Sequence, residues 1–177
     1  GWPVGHSLSP RIHGFWLRSL DLDGAYIPLP VKPEDLEQAL RALPVLGFSG
    51  ANLTIPHKET AVAFLDDVDE KARRIGAVNT VTVTGDGELA GTNTDGFGFI
   101  ENLRAGAPDW KPDDGPAVVL GAGGAARGIV SALVEAGVAE IRLLNRTRAR
   151  ADKLADSLGG AVRAADWPER TAPPRLS

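Results

Sequence analysis

Cysteine and methionine are both missing from this chain. Without cysteine there are no disulfides and no thiolate zinc sites. Histidine is scarce as well: three occur, none at ligand spacing, so no metal site is expected. Aromatic residues make up 6% of the chain, and Trp2, Trp16, Trp110 and Trp167 are too scattered to form a stacking platform. Positive charge is not in excess. The net charge is −4, which argues against non-specific binding to nucleic acid. No apolar run reaches the length of a membrane span, and no signal peptide is visible. A cytoplasmic protein acting on small molecules, as a monomer or homodimer, is the expectation. The chain also lacks an initiator methionine: it opens on Gly1-Trp2-Pro3 and closes mid-pattern on Pro173-Pro174-Arg175-Leu176-Ser177. The expected reading is a fragment, or a chain cut at both ends.

What is present is an ordinary globular composition, 43% hydrophobic and 24% charged over 177 residues, enough for one large unit or two small ones. Apolar spacing predicts a helix over Pro10–Ser19 with Ile12, Phe15, Trp16 and Leu20 on one face. A strand is predicted over Ala25–Leu29, then a helix over Lys32–Ala42 with Glu34 and Asp35 in its acidic first turn. A strand over Gly50–Ile55 leads into helix over Lys58–Leu65, with a second helical stretch over Asp66–Ile75. Two strands, Thr80–Thr84 and Glu88–Gly91, flank the turn Gly85-Asp86-Gly87, and a helix follows over Asp95–Arg104.

Residues 106–116 hold three prolines, two glycines and four charged residues. They read as a linker between a domain over residues 1–105 and another over 117–177. Beyond the linker the pattern alternates: strand Ala117–Leu120, helix Ala125–Ala136, strand Glu140–Leu144, helix Arg148–Leu158 and strand Ala161–Ala164. This is βαβαβ, half of a doubly wound dinucleotide fold, and the class is α/β.

The first strand–helix junction is Gly121-Ala122-Gly123-Gly124-Ala125-Ala126-Arg127. A phosphate-binding turn needs a glycine for the bend, a second so that the backbone can approach the pyrophosphate, and a small third residue for helix–strand packing. Gly121, Gly123 and Ala126 supply these in order. The second strand ends at Leu143-Leu144-Asn145 without the carboxylate that holds an NAD ribose. Arg146, Arg148 and Arg150 follow instead, and guanidinium groups suit a 2′-phosphate, so NADP(H) is the expected cofactor.

Two polar loops precede this region: Asn52-Leu53-Thr54-Ile55-Pro56-His57-Lys58 and Gly91-Thr92-Asn93-Thr94-Asp95-Gly96. Taken singly, Lys58 reads as a solvated surface charge, Asp95 as a helix N-cap, and Ser9 before Pro10 as another N-cap. Together, in strand-end loops ahead of a nucleotide turn, Lys58 and Asp95 suggest proton transfer beside a hydride carrier. Hydride delivery to a ketone leaves an alkoxide that needs a proton or a cation. Burial favours a neutral amine and a nearby carboxylate favours the ammonium. The residues alone leave that balance open, with Lys58 as the favoured proton donor and acceptor and Asp95 orienting it. His57 is the competing base.

Gly5-His6-Ser7-Leu8-Ser9-Pro10, the Asn52–Lys58 segment, Gly76-Ala77-Val78-Asn79-Thr80, Asn93-Thr94-Asp95-Gly96 and Gly121–Arg127 together resemble the shikimate dehydrogenase family, in the family's order, from Gly1 to about Trp167. The resemblance implies NADPH-dependent interconversion of 3-dehydroshikimate and shikimate. It implies that Ser7 and Ser9 hold the substrate carboxylate and that Thr54, Asn79 and Asp95 bind ring hydroxyls, with Asn52 nearby. Lys58 and Asp95 would be the catalytic pair, also touching substrate. Gly121, Gly123, Gly124, Ala125 and Ala126 would cradle phosphates, and Asn145, Arg146, Thr147 and Arg150 would grip the 2′-phosphate. The family continues well past Ser177, and a chain ending there is expected to expose a sheet edge and apolar surface. A quinate/shikimate dehydrogenase of broader specificity and a non-catalytic NADP-binding module are the alternatives.

Overall fold

The computed structural model describes residues 1–166. Trp167 and the end of the predicted nucleotide domain at Ser177 lie outside the described residues. Seven helices and seven strands follow in the order α1 (Ser9–Ser19), α2 (Leu36–Ala42), β1 (Gly50–Asn52), α3 (His57–Thr60), β2 (Asp67–Val68), α4 (Glu70–Ile75), β3 (Thr80–Val83), β4 (Leu89–Thr92), α5 (Asp95–Gly106), β5 (Ala117–Leu120), α6 (Gly124–Glu135), β6 (Ile141–Leu144), α7 (Arg148–Leu158) and β7 (Val162–Ala164) among the described residues. Short 3₁₀ turns precede α2 and follow α3. The architecture is α/β, as the patterning predicts.

The first sheet has the order β1-β3-β4-β2. β3 and β4 form the antiparallel hairpin around Gly85–Gly87, β1 pairs antiparallel to β3, and β2 runs parallel to β4. One face of this sheet is closed by apolar side chains at helical spacing. Leu36 and Leu40 of α2, with Leu43, pack with Leu53, Val68, Val78, Val81 and Leu89 in one buried cluster. The second sheet is parallel with the order β5-β6-β7. Its middle strand reads Ile141-Arg142-Leu143-Leu144 with three buried apolar residues, as a strand covered on both faces requires. Val130 and Leu133 of α6 and Ala151 and Leu154 of α7 complete that second cluster.

Several predicted elements differ. The stretch Asp66–Ile75 is not one helix: Asp67–Val68 pairs as β2, and α4 starts only after Asp69, whose carboxylate accepts the Ala72 N–H as an N-cap. Strand β1 stops at Asn52, although the Leu53 N–H still reaches the Asn79 carbonyl at 2.7 Å. Residues 25–29 form no strand, because Pro28 has no N–H to give a ladder and no strand among the described residues pairs with them. Helix α1 forms as predicted, but its apolar face is not core. Ile12, Phe15, Trp16 and Leu20 are all exposed, since no described element covers them. At the outer strand β5, Val118 and Leu120 are likewise exposed.

What joins the two sheets is the packing of α5 on α6. A β-carbon on Gly96 would lie 2.6 Å from the Gly128 carbonyl oxygen and 2.9 Å from the Ala132 methyl, so only glycine allows this approach. At the other end of α6, Glu135 accepts Lys71 and Arg74 of α4 at 2.7 and 2.6 Å. Replacing Gly96 by alanine is expected to destabilise the protein by about 1–3 kcal/mol through overpacking. Gly98→Ala, on the same helix with open space at its β-carbon, is expected to be neutral or stabilising by roughly 0.5–1 kcal/mol. Urea denaturation of the two variants checks the contrast.

Candidate active site

The ends of β1 and β4 lie side by side, bridged by β3, and both polar loops leave from that edge. The loops converge on one ion pair. Lys58 Nζ donates to Asp95 Oδ2 at 2.7 Å, with the side chains only 14% and 21% exposed. Asn79 donates its Nδ2 to Asp95 Oδ1 at 2.9 Å, so both carboxylate oxygens are engaged. Asp95 is the first residue of α5 and does not cap it: the preceding Thr94 is the N-cap, and the Asp95 N–H goes to Asn93 Oδ1 at 3.0 Å. Buried Asn93 also donates to the Ala77 carbonyl at 2.9 Å, which pins its loop to the connection between α4 and β3.

A cavity of about 480 Å³ opens over this pair, a size suited to a small metabolite. Ser7, Ser9, Asn52, Thr54, Lys58, Asn79 and Asp95 all line it. Every residue expected to touch substrate is therefore brought to one place. The expectation that Ser9 caps α1 is corrected: Leu8 is the N-cap and Ser9 is the first helical residue, because the Ser7 hydroxyl accepts the Ser9 N–H at 3.3 Å. Both serines stand at the cavity at the start of a helix, where an anion is favoured.

Tyr26 was not singled out in the sequence, although it is the chain's single tyrosine. It lines the same cavity, donates to Asn52 Oδ1 at 2.9 Å and stacks on His13 at a ring separation of 4.0 Å. His13 Nδ1 is held by the Ser9 carbonyl at 2.9 Å. His57 is a poor candidate base. It is 1% exposed, and its Nε2–H donates to the Val31 carbonyl at 2.9 Å.

The glycine turn lies beside the pair. Gly121 has φ +112°, a conformation that side chains rarely adopt, and β-carbon positions at Gly121 and Gly123 face open space. The first turn of α6 has no side-chain cap, so its N–H groups are available to an anion. Ala126 is buried and allows close helix–strand packing. Gly124 has another reason for lacking a side chain: its β-carbon would lie 2.9 Å from Cβ of Lys58. After β6, Asn145 Nδ2 donates to the Thr147 carbonyl at 2.7 Å, and Thr147 is the N-cap of α7. The three arginines there are not equivalent. Arg148 is held by Asp152 at 2.8 Å and Asp166 at 2.6 Å, which removes it from the set that suits a free phosphate. Arg146 and Arg150 are exposed, and Arg150 makes only a long 3.5 Å contact with Glu59. Glu59 also lies 3.5 Å from Arg127, in the glycine turn's own helix. No cluster of histidine, aspartate and glutamate among the described residues suits a metal ion.

Burial holds the His57 imidazole below its ordinary value of 6.5, against the pull of the Val31 carbonyl. A lowered value means that the unfolded chain takes up the proton first. The stability His57 contributes is complete above 6.5 and declines as pH falls through that value. Asp66 and Glu140, held down by hydrogen bonds from Arg41 and Arg142, act only at lower pH, near ordinary carboxylate values. The urea midpoint is thus expected to drop between about pH 7 and pH 6 in the wild type, with that slope flattened in His57→Gln.

Known proteins resemble this chain. Residues 1–81 match the family model for the shikimate dehydrogenase substrate binding domain, and residues 110–170 match that for shikimate / quinate 5-dehydrogenase. The chain is 61% identical over 170 residues to the shikimate dehydrogenase (NADP(+)) of Paramagnetospirillum magneticum, covering 96% of this chain and 62% of that protein. Among solved structures, shikimate dehydrogenase from Aquifex aeolicus superposes with a TM-score of 0.87 at 38% identity, over 96% of this chain and 62% of that one. Shikimate 5-dehydrogenase from Thermus thermophilus, solved with NADP(H) and shikimate, gives a TM-score of 0.82 at 49% identity, over 92% of this chain and 59% of that one. The chain thus spans about three-fifths of the length of the relatives it matches, and by both family models and by sequence it belongs to the shikimate dehydrogenase family.

Proposed function

We propose that the protein interconverts 3-dehydroshikimate and shikimate with NADP(H). Residues 1–105 would bind substrate, 106–116 would link, and 117–177 would bind the nucleotide. The observation that carries this reading is the Lys58–Asp95 pair, set 2.7 Å apart at a metabolite-sized cavity and packed against an uncapped glycine turn.

The residues at the turn fit the nucleotide. The open β-carbon positions at Gly121 and Gly123 let backbone approach phosphate. The first turn of α6, from Gly124 through Ala125 and Ala126, offers N–H groups. Asn145 and Thr147 shape the loop from which Arg146 and Arg150 reach a 2′-phosphate. When bound, NADPH supplies the hydride.

On the protein's side, Ser7 and Ser9 hold the substrate carboxylate, while Asn52, Thr54 and Asn79 hold ring hydroxyls. As the ketone carbon is reduced, negative charge gathers on its oxygen, and Lys58 Nζ donates the proton. In the oxidative direction the neutral amine takes that proton back. Asp95 holds the ammonium in place and offers its remaining acceptor capacity to a ring hydroxyl. The setting is the cytoplasm, and the partners are small molecules only.

Two outcomes test the reading. Shikimate-dependent reduction of NADP⁺, followed at 340 nm with quinate as control, is expected in the full protein. It should fall by roughly 10²–10⁴-fold in Lys58→Ala. Absence of shikimate-dependent turnover in the folded full protein would overturn the assignment, and equal rates with quinate would favour the broader quinate/shikimate reading. Arg150→Ala is expected to weaken NADP⁺ binding roughly tenfold while leaving NAD⁺ binding unchanged, as calorimetry would show.

A further inference from the structure

The cavity residues are joined in one directed hydrogen-bond series that reaches beyond the groups expected to touch ligand. Thr94 N–H can only donate, and it donates to Asn79 Oδ1 at 3.0 Å. The Asn79 amide is therefore set with its NH₂ toward the acceptor-only carboxylate of Asp95. With Asn79 Oδ1 committed as acceptor, the Thr80 hydroxyl 2.9 Å away must donate to it. Thr80 Oγ1 then accepts Asn52 Nδ2 at 3.2 Å, which turns Asn52 Oδ1 toward Tyr26, whose hydroxyl donates at 2.9 Å. At the far end Asp95 accepts Lys58. The donors run in one direction from the Tyr26 hydroxyl to the Asp95 carboxylate, which Lys58 meets from the other side as a second donor.

We propose that Tyr26 and Thr80 are positioning residues, which through Asn52 and Asn79 fix the orientation of the Lys58–Asp95 pair. The proposal rests on the assignment of that pair given above. Among the described residues, Thr80 is not part of the cavity lining, yet its hydroxyl is the one hydrogen-bonded connection between the two asparagine amides. Without it the Asn52 Nδ2 loses its acceptor and Asn79 Oδ1 loses one of its donors, so the amide that engages Asp95 is held by fewer bonds. Tyr26 closes the other end: its ring is held by His13, and burial raises its hydroxyl above the ordinary value of 10, so it stays protonated and able to donate. A polar series with all members satisfied is rigid, whereas a broken one leaves costly unpaired groups.

Thr80→Val keeps the volume and suits a strand, while Thr80→Ser keeps the hydroxyl. In the full protein, Thr80→Val is expected to lower kcat with shikimate roughly tenfold, the scale of one lost hydrogen bond, with KM for NADP⁺ unchanged. Thr80→Ser should restore kcat. A purely structural role for Thr80 would instead lower the melting temperature without that split. A readout independent of turnover is the side-chain amide NMR signals of Asn79, which should shift in Thr80→Val and also in Tyr26→Phe, two hydrogen bonds further away. Wild-type kcat in Thr80→Val, or Asn79 signals untouched in both variants, would overturn the proposal. If the wild type shows no turnover, the functional assignment fails, and the amide signals still decide whether the series exists.

Discussion

The close approach of α6 to the starts of α3 and α5 is the constraint on which this structure depends. Three positions without side chains make it possible. Gly124 accepts the stem of Lys58, Gly128 accepts Asp95 and Asn93, and Gly96 accepts the Gly128 carbonyl. A single helix therefore sets both its uncapped N-terminus and its flank beside the Lys58–Asp95 pair. The distance between the glycine turn and the Lys58–Asp95 pair is set by backbone contact, which is stiffer than any arrangement of long side chains.

Electrostatics reinforce that geometry locally, against a net charge of −4. Glu59, next to Lys58, faces Arg127 of α6 and Arg150 of α7. The ion pairs of Glu135 with Lys71 and Arg74 tie the opposite end of α6 to α4. These contacts are largely exposed and individually weak. Their value is in location: each spans the two sheets where no β-ladder does. Arg148, satisfied within its own sheet, leaves Arg146 and Arg150 as the basic groups turned to solvent beside the glycine turn.

Much of this was legible in the residues. The βαβαβ alternation, the hairpin at Gly85–Gly87 and the phosphate turn follow from period and from glycine placement, which are local properties of the chain. The convergence of Ser7, Ser9, Asn52, Thr54, Lys58, Asn79 and Asp95 on one cavity was legible only through the family resemblance that whole motifs carry, because these residues are up to 88 positions apart and periodicity says nothing of such distances. The departures have physical causes. Ser9 and Asp95 fit N-cap statistics, but capping is decided by the φ/ψ of the residue before the helix, and Leu8 and Thr94 occupy it. Residues 25–29 have strand composition, but a strand exists only against a partner.

By itself, then, the sequence determined the fold class, the glycine-rich turn after β5 and the two polar loops that carry Lys58 and Asp95. Each depends on residue type at short spacing: glycine where a backbone must bend, alternating apolar positions where a sheet is buried, arginine where a carboxylate would repel a phosphate. Only the tertiary structure decided which arginines stay free, that Gly124 serves Lys58, that His57 is buried on a carbonyl, and that Tyr26 and Thr80 belong to the hydrogen-bonded series at the cavity. Those outcomes depend on contacts between segments far apart in the chain, where burial and close approach, and not local propensity, settle which partner each polar group finds.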